Sequence, residues 1–498
     1  MAVEGAGLEV DPLINPGEEV QEELPKVTTL QRVGGPYAVY VVVVVTVANI
    51  FNQLCRFVLI STNQSMANDL EFGDKICNVS NISALNEYLS KHNINESGAE
   101  FCSWSDGSRC NSLNSSDLCK WHYTGTGLEY QLLVGPLFMV VLSFTGVPVS
   151  LVSEAGSLNR KNILSSCVLF WSVATVLTGW AQEYWQVAIA RMSLALFEAP
   201  YLTFASSLLT CYFTKKHRSI VLASLTAAIF IGYASAFLLT ILDDALGWRW
   251  TFWISGSPGL AISILMFTTV KERKPEQPIG NIQEKVNFKQ TLREFKSPVH
   301  ILLVFAMVLR NASGFVFTYN INNYFNHYYP DYPTEVFMAW GPVVSGCLGT
   351  FLGGILADRL ARRWGTIGRF IVIILSSFLA APLFVGALTT PPPGAFYWLL
   401  IAGCVSELWI GVGLSVVIDI APVQIQTSCL AIYFFSYNMI GGNFNLMVTP
   451  MKNSFGWRWT MVGLVAGSLI IAVILFIIVA CLLKLKSSRN MSDEDKSS

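Results

Sequence analysis

Gly247-Trp248-Arg249-Trp250-Thr251 recurs residue for residue as Gly456-Trp457-Arg458-Trp459-Thr460. Each copy lies between two long apolar stretches. A second pair of matching segments lies upstream: Asn159-Arg160-Lys161 before the first copy, and Asp358-Arg359-Leu360-Ala361-Arg362-Arg363 before the second. Both offsets are about 200 residues, so the chain reads as duplicated. Duplication in a strongly apolar chain is the mark of a transporter built from two membrane repeats.

The bulk composition agrees. Of 498 residues, 53% are hydrophobic and only 13% charged, where soluble domains carry about 25% charged residues. Mean hydropathy is +0.49. The net charge of −1 gives no basis for a nucleic-acid partner. The acidic N-terminal segment contains Pro12, Pro16 and Pro25. It lacks a basic start and a short apolar core, so it does not read as a cleaved signal peptide, and the first span is expected to act as its own insertion signal.

Apolar runs near the ~20 residues a spanning helix needs recur along the chain. They fall at 37–61, 130–152, 163–181, 186–211, 219–241 and 251–270, then at 299–325, 335–357, 368–388, 396–419, 427–449 and 459–484. The fold expected is an all-α polytopic membrane protein, with twelve transmembrane helices in two pseudo-symmetric six-helix bundles. The halves are 37–270 and 299–484, joined by a charged linker, 271–298, with tails at 1–36 and 485–498.

Arg160-Lys161, Lys215-Lys216-His217-Arg218, the linker, Arg359-Arg362-Arg363 and Lys484-Lys486 fall on one side. By the positive-inside rule that side is cytoplasmic, as are both tails. The polar insert 62–129 then faces outside or into a lumen. It holds Cys77, Cys102, Cys110 and Cys119, and sequons at Asn78, Asn81, Asn95 and Asn114, with a further one at Asn63 close to the membrane. Cysteines and sequons both suit an oxidising compartment. Four cysteines allow three pairings, and the sequence does not choose among them. The simplest role for the insert is a stapled, glycosylated cap. The other seven cysteines lie in or beside spans and read as packing residues.

Gly354-Ile355-Leu356-Ala357-Asp358-Arg359-Leu360-Ala361-Arg362-Arg363 closely resembles the signature loop G-x-L-A-D-R-x-x-R-R of the major facilitator superfamily. An Asp at such a turn can accept N–H bonds at a helix start, and arginines can hold helix-end carbonyls and carboxylates. Asp358, Arg359, Arg362 and Arg363, with Asp419 as a partner, are therefore expected to form a conformational latch. The first-half counterpart is degraded, with Gly156 and Ser157 in place of Asp and Arg and Glu154 nearby.

Within the superfamily the chain is most similar to the Spinster family of lipid transporters. Asn52-Gln53-Leu54-Cys55-Arg56-Phe57 resembles N-x-x-D-R-F. Phe170-Trp171-Ser172, Arg191 and Glu198-Ala199 match parts of the family's third and fourth spans. Trp409-Ile410-Gly411, Asp419-Ile420-Ala421-Pro422 and Asn438-Met439-Ile440-Gly441-Gly442 carry the likeness into the second half. One departure matters. Cys55 replaces the family Asp, which puts proton coupling through that position in doubt.

A charge at mid-bilayer depth costs about 2.5–3.5 kcal/mol, so such residues usually face a cavity or one another. Arg56, Arg191, Glu198, Arg310 and Glu407 fall inside spans. Arg191 and Glu198 are two turns apart on one helical face. The resemblance makes the first and fourth spans neighbours, so Arg56 is a partner for Glu198. Glu198 is read as the protonatable group and Arg310 as an anchor for an anionic head. Asn438 joins these as a substrate residue. A wall of Phe315, Phe317, Tyr319, Asn320, Asn322, Asn323 and Tyr324, continued by Tyr433, Phe434, Phe435 and Tyr437, suits an amphipathic substrate. Gly349 and Gly353 read as a close-packing pair.

The function expected is alternating-access transport of an anionic or zwitterionic lysophospholipid- or sphingolipid-type substrate, as a symporter or a uniporter. The rivals are a carrier of small organic anions or sugar acids, and a transport-dead receptor or scaffold on the same fold. No P-loop or metal-ligand cluster is present and histidines number five, so no enzyme activity, cofactor or metal is expected. A monomer among membrane lipids is expected. Glu9-Val10-Asp11-Pro12-Leu13-Ile14 fits an acidic dileucine address, which sets an endosomal or lysosomal membrane beside the plasma membrane.

Overall fold

Inside a bilayer every backbone N–H and C=O must be satisfied within the element that carries it, so long apolar runs become helices. A computed structural model describes residues 35–79, 82–92, 119–154, 159–213, 215–272, 297–330, 332–421 and 426–497. Eleven helical stretches among them are long and apolar enough to cross a membrane. The last, Ile432–Leu485, has 54 residues. As one helix it would rise about 80 Å, far beyond a hydrocarbon core of about 30 Å. It is two spans, because Gly456 breaks it with φ 77° and ψ 165°.

The first half contains Pro36–Ser61, a second span in two pieces (Leu128–Val134 and Pro136–Glu154), Arg160–Thr178, Tyr184–Tyr212, Lys215–Leu238 and Trp248–Thr269. The second half contains Pro298–Tyr328, Gly341–Trp364, Thr366–Thr389 and a tenth span in two pieces (Gly394–Glu407 and Ile410–Ile420). Its eleventh span starts at Gln426–Ser436 and passes through a π turn at Tyr437–Gly441 and a 3-10 turn at Gly442–Met447. The twelfth follows Gly456 and continues as Ser468–Ser497. The eighth span begins later than its hydropathy suggests, because Thr334–Met338 forms a separate short helix before it.

The duplication is visible in the packing. In the first half the third span packs on the fourth and sixth, the second on the fourth, and the first on the fifth and sixth. In the second half the ninth packs on the tenth and twelfth, the eighth on the tenth, and the seventh on the eleventh and twelfth. Each pairing recurs six spans later. The halves meet where the second span touches the eleventh, the fifth the eighth, and the first the seventh.

The repeated pentapeptide does the same work in both copies. Gly247 has φ 87° and ψ 162°, close to the values at Gly456, in a region that only glycine occupies without strain. Trp248 and Trp457 are buried, while Trp250 and Trp459 are 49% and 66% exposed, placed to anchor at the membrane interface. Arg249 Nη2 donates to the Ala181 carbonyl (3.0 Å) just past the third span. Arg458 Nε donates to Tyr324 Oη (3.4 Å), and that hydroxyl donates to the Leu388 carbonyl at the end of the ninth span. In both halves a cation thus serves the negative end of the same helix.

The insert adds a little β-structure to an otherwise helical protein. Lys75–Val79 pairs antiparallel with Cys119–Tyr123, flanked by helices Asn63–Leu70 and Ile82–Lys91. Cys77 and Cys119 lie on these strands, and each is disulfide-bonded. Asn78 is on the first strand. Cys102, Cys110, Asn81, Asn95 and Asn114 lie outside the described residues, as do the dileucine-like segment, Gly156, Ser157 and most of the linker. The Asn63 sequon is a different case. Asn63 is buried, and its Nδ2 donates to the Gly125 carbonyl (3.0 Å) and to Asn323 Oδ1 (2.9 Å), so the nitrogen a glycan would occupy is used inside the protein.

The glycine break generates a prediction. Gly456→Ala and Gly247→Ala each force an alanine into the glycine-only region and are expected to destabilise the protein by about 1–3 kcal/mol. Gly354→Ala, on an open helical surface with nothing within 4 Å, is expected to be neutral or slightly stabilising. Thermal melts of the detergent-solubilised chain distinguish the three.

Candidate functional site

Arg56 occupies the centre. Its Nη1 donates to Glu198 Oε1 at 3.0 Å, joining the first span to the fourth. Its Nε donates to Tyr319 Oη at 3.1 Å, joining the first half to the seventh span in the second half. The rings of Phe138, Phe57 and Phe315 stand 4.8, 5.5 and 5.9 Å from its guanidinium carbon. The ion pair is sheltered, with side chains 11% and 7% exposed. Glu198 Oε2 has no hydrogen-bond partner among the described residues.

Arg191 shares the fourth span with Glu198 but does not bond to it. Its guanidinium carbon lies 4.7 Å from the Phe138 ring, and its Nε donates to the Leu133 carbonyl at 3.4 Å. That carbonyl sits at the break in the second span, between Val134 and Pro136. Its Nη2 is buried without a partner. Cys55 donates to the Ser255 carbonyl of the sixth span at 3.5 Å.

A second cationic centre lies in the other half. Arg310 is fully buried, and its Nη2 donates to Ser406 Oγ at 2.7 Å and to the Ser406 carbonyl. The Ser406 carbonyl precedes the break in the tenth span, so Arg310 serves that break as Arg191 serves the one in the second. The Trp409 ring is 4.8 Å from its guanidinium carbon, and Arg310 Nε and Asn311 Nδ2 are buried without partners. Glu407, half-buried, is the acidic residue of this region. Gly349 and Gly353 let the eighth span press on the tenth, where a Cβ would collide with the Cys404 and Leu408 carbonyls. An aromatic wall joins the two centres: Tyr319 to Phe315 (6.2 Å), Phe315 to Tyr437 (5.8 Å) and Tyr437 to Tyr433 (5.8 Å). Along the seventh span Arg310 and Tyr319 are about 13 Å apart at a helical rise of 1.5 Å.

Asn438 Nδ2 donates to the Phe434 carbonyl of its own helix (3.0 Å). One expected arrangement needs correction. The signature segment is not itself a turn. Asp358, Arg359, Arg362 and Arg363 are exposed in the last turns of the eighth span, and the chain turns at Gly365 (φ 59°). Asp419 pairs with Arg369 at the start of the ninth span, and accepts from Thr366 Oγ1 at 3.3 Å. The first half rebuilds this device with other residues: Glu272 Oε2 accepts the Lys161 N–H (2.8 Å) at the start of the third span, which Asn159 caps.

The sequence pattern of the Major Facilitator Superfamily matches residues 45–446. The chain belongs to the Major Facilitator Superfamily. A superfamily efflux pump of Mycolicibacterium smegmatis is 26% identical over 49% of this chain and 58% of its own length, so the chain spans little more than half of that relative. The D-galactonate transporter of Escherichia coli is 22% identical over 60% of this chain and 75% of its own. The sphingosine-1-phosphate transporter SPNS2 of Danio rerio is 29% identical over 26% of this chain and 27% of its own. A crystal structure of a bacterial homologue of the human lysosomal transporter Spinster, inward-facing and unoccupied, superposes with a TM-score of 0.65 at 18% identity, over 92% of this chain and 99% of that one. Both the superfamily and the likeness to Spinster proteins read from the sequence are met.

In this superfamily member the hydrogen bonds between halves, among the described residues, gather on the side of the insert. Gln131 Nε2 donates to Asn320 Oδ1 (2.7 Å), and within the second half Asn320 Nδ2 donates on to Asn445 Oδ1 (2.9 Å). Tyr130 Oη donates to the Tyr319 carbonyl (2.7 Å), and Asn63 to Asn323 as above. Outermost, Lys452 of the eleventh span is ion-paired with Asp74 of the insert, beside Thr126 Oγ1 at 3.5 Å. The insert is therefore part of the closure between halves, not a detached cap.

Sequence reasoning missed Phe138, Gln131, Asp74 and Lys452. The signal for Lys452 was present, since a lysine on the side otherwise poor in basic residues needs a local partner. Lys452→Gln is expected to speed, several-fold, the labelling of a cysteine at Asn323 by a membrane-impermeant maleimide. The swap Asp74→Lys with Lys452→Asp is expected to restore slow labelling.

Proposed function

We propose that this transporter moves an amphipathic, anionic or zwitterionic lipid of the lysophospholipid or sphingolipid type by alternating access. The observation that supports it is the aromatic wall from Tyr319 through Phe315 and Tyr437 to Tyr433, which runs between two buried guanidinium centres. A headgroup can be held at a guanidinium while a chain lies along the rings. A sugar acid needs a dense set of polar contacts around one small volume, which this wall does not supply.

By the positive-inside rule the linker side is read as cytoplasmic and the insert as outside or luminal. In this reading the protein resides in the plasma membrane or in an endosomal or lysosomal membrane, with the insert stapled through its four cysteines and glycosylated at Asn78, Asn81, Asn95 and Asn114. Closure on the insert side leaves the cytoplasmic side to admit substrate. Opening outward requires the Arg56–Tyr319 bond and the amide ladder to part. Glu198 is the group for proton exchange, because one carboxylate oxygen is on Arg56 and the other is unoccupied, whereas Cys55 faces the sixth span.

The small-acid reading keeps one argument: the D-galactonate transporter aligns over a larger share of both chains than the sphingosine-1-phosphate transporter does. Uptake of labelled lysophosphatidate, lysophosphatidylcholine and D-galactonate into proteoliposomes, at two pH values, separates the readings. Lysolipid uptake is expected, with Arg310→Ala lowering it about 10- to 100-fold, the worth of one charged hydrogen bond. Glu198→Gln is expected to abolish its pH response. Galactonate uptake alone overturns the lipid reading, and no uptake of any of the three favours a receptor or scaffold.

A further inference from the structure

Arg56 and Arg191 have one phenylalanine ring in common. The Phe138 ring centroid is 4.8 Å from the guanidinium carbon of Arg56 and 4.7 Å from that of Arg191. Phe138 is fully buried, so both contacts lie away from water. A phenyl ring attracts a cation electrostatically through its quadrupole, and the attraction grows when the pair is desolvated. One ring therefore offsets part of the repulsion between two buried like charges.

The ring is also held firmly. It sits two residues after Pro136, where the second span restarts after the break at Gly135 (φ −101°, ψ −105°). Proline lacks the N–H that would continue the ladder across that break, and Arg191 Nε takes the Leu133 carbonyl left at its edge. The next residue, Met139, places its sulfur 4.0 Å from Arg56 Nη2, and a Cβ on Gly442 of the eleventh span would meet its side chain. The restart of the second span thus carries contacts to Arg191, to Arg56 and to the other half of the protein.

We propose that Phe138 is a positioning residue that holds Arg56 and Arg191 in place together, so that Arg56 is presented to Glu198 and Tyr319 while Arg191 keeps a free Nη2 for an anionic group of the substrate. This rests on the lipid-transport reading only for the identity of the ligand. The stack itself is a property of the empty protein.

The test replaces Phe138 with mono-, di- and trifluorinated phenylalanine in the full chain. Fluorines drain the ring's negative face one step at a time while its shape hardly changes. Two quantities are read: the thermal midpoint without ligand, and the affinity for lysophosphatidate and lysophosphatidylcholine. Stepwise loss in both is expected, reaching about tenfold or more in affinity at the trifluoro ring. In an Arg191→Met background the slope of the midpoint is expected to be clearly shallower, because one cation is gone. Flat values of both quantities overturn the proposal. A graded midpoint with flat affinity also overturns it, since the stack would then stabilise the fold without positioning the arginines for the ligand. A graded midpoint in a protein that binds neither lysolipid leaves the stack standing and removes the lipid reading instead.

Discussion

A guanidinium within hydrocarbon must be surrounded by partners, and Arg56 draws its partners from both halves of this protein. Glu198 comes from its own half, Tyr319 from the other, and aromatic rings from both. When the halves part on the insert side Arg56 keeps Glu198 but gives up Tyr319, and a hydrogen bond to a charged group is worth about 1.5–3 kcal/mol unless something replaces it. An anionic headgroup is a natural exchange, and it ties movement of the halves to occupancy of the site.

The duplication supplies the frame and the site departs from it. Pentapeptide glycines, tryptophans and arginines keep matching places, and packing recurs six spans later. The charged centres also share a logic, since Arg191 and Arg310 each serve a carbonyl where a span breaks. Their surroundings differ. The first half gathers two arginines, one carboxylate and Phe138, whereas the second has Arg310 bound to Ser406 beneath Trp409. The contacts at the helix starts diverge too, with Asp419–Arg369 in one half and Glu272 on the Lys161 N–H in the other. An inherited scaffold with two unlike centres suits a ligand whose ends differ.

Much of this was legible in the sequence, for physical reasons that also mark the limit. Spans show because hydrocarbon demands long apolar helices, and the buried charges show because each is expensive enough to need a purpose. Arg56, Arg191, Glu198 and Arg310 were visible on those grounds. What hydropathy does not encode is which helix ends adjoin. Nothing local in the sequence pairs Asp419 with Arg369, or shows that Gly365 rather than Asp358 reverses the chain. Phe138 was invisible for another reason: a phenylalanine in an apolar span carries no signal until two cations are seen beside it. Asp74 and Lys452 are separated by most of the chain, so only the folded arrangement joins the insert to the closure between halves.

Outward opening, in the reading proposed above, parts the halves on the insert side by giving up the contacts centred on Arg56. Spin labels at Gln64, on the exposed face of the helix after the first span, and at Ser454, exposed at the outer end of the eleventh, straddle that closure. Pulsed electron resonance on the reconstituted protein is predicted to give a short distance in the resting state and a second, longer one that grows when lysophosphatidate is supplied. A single unchanging distance under turnover conditions would contradict the account.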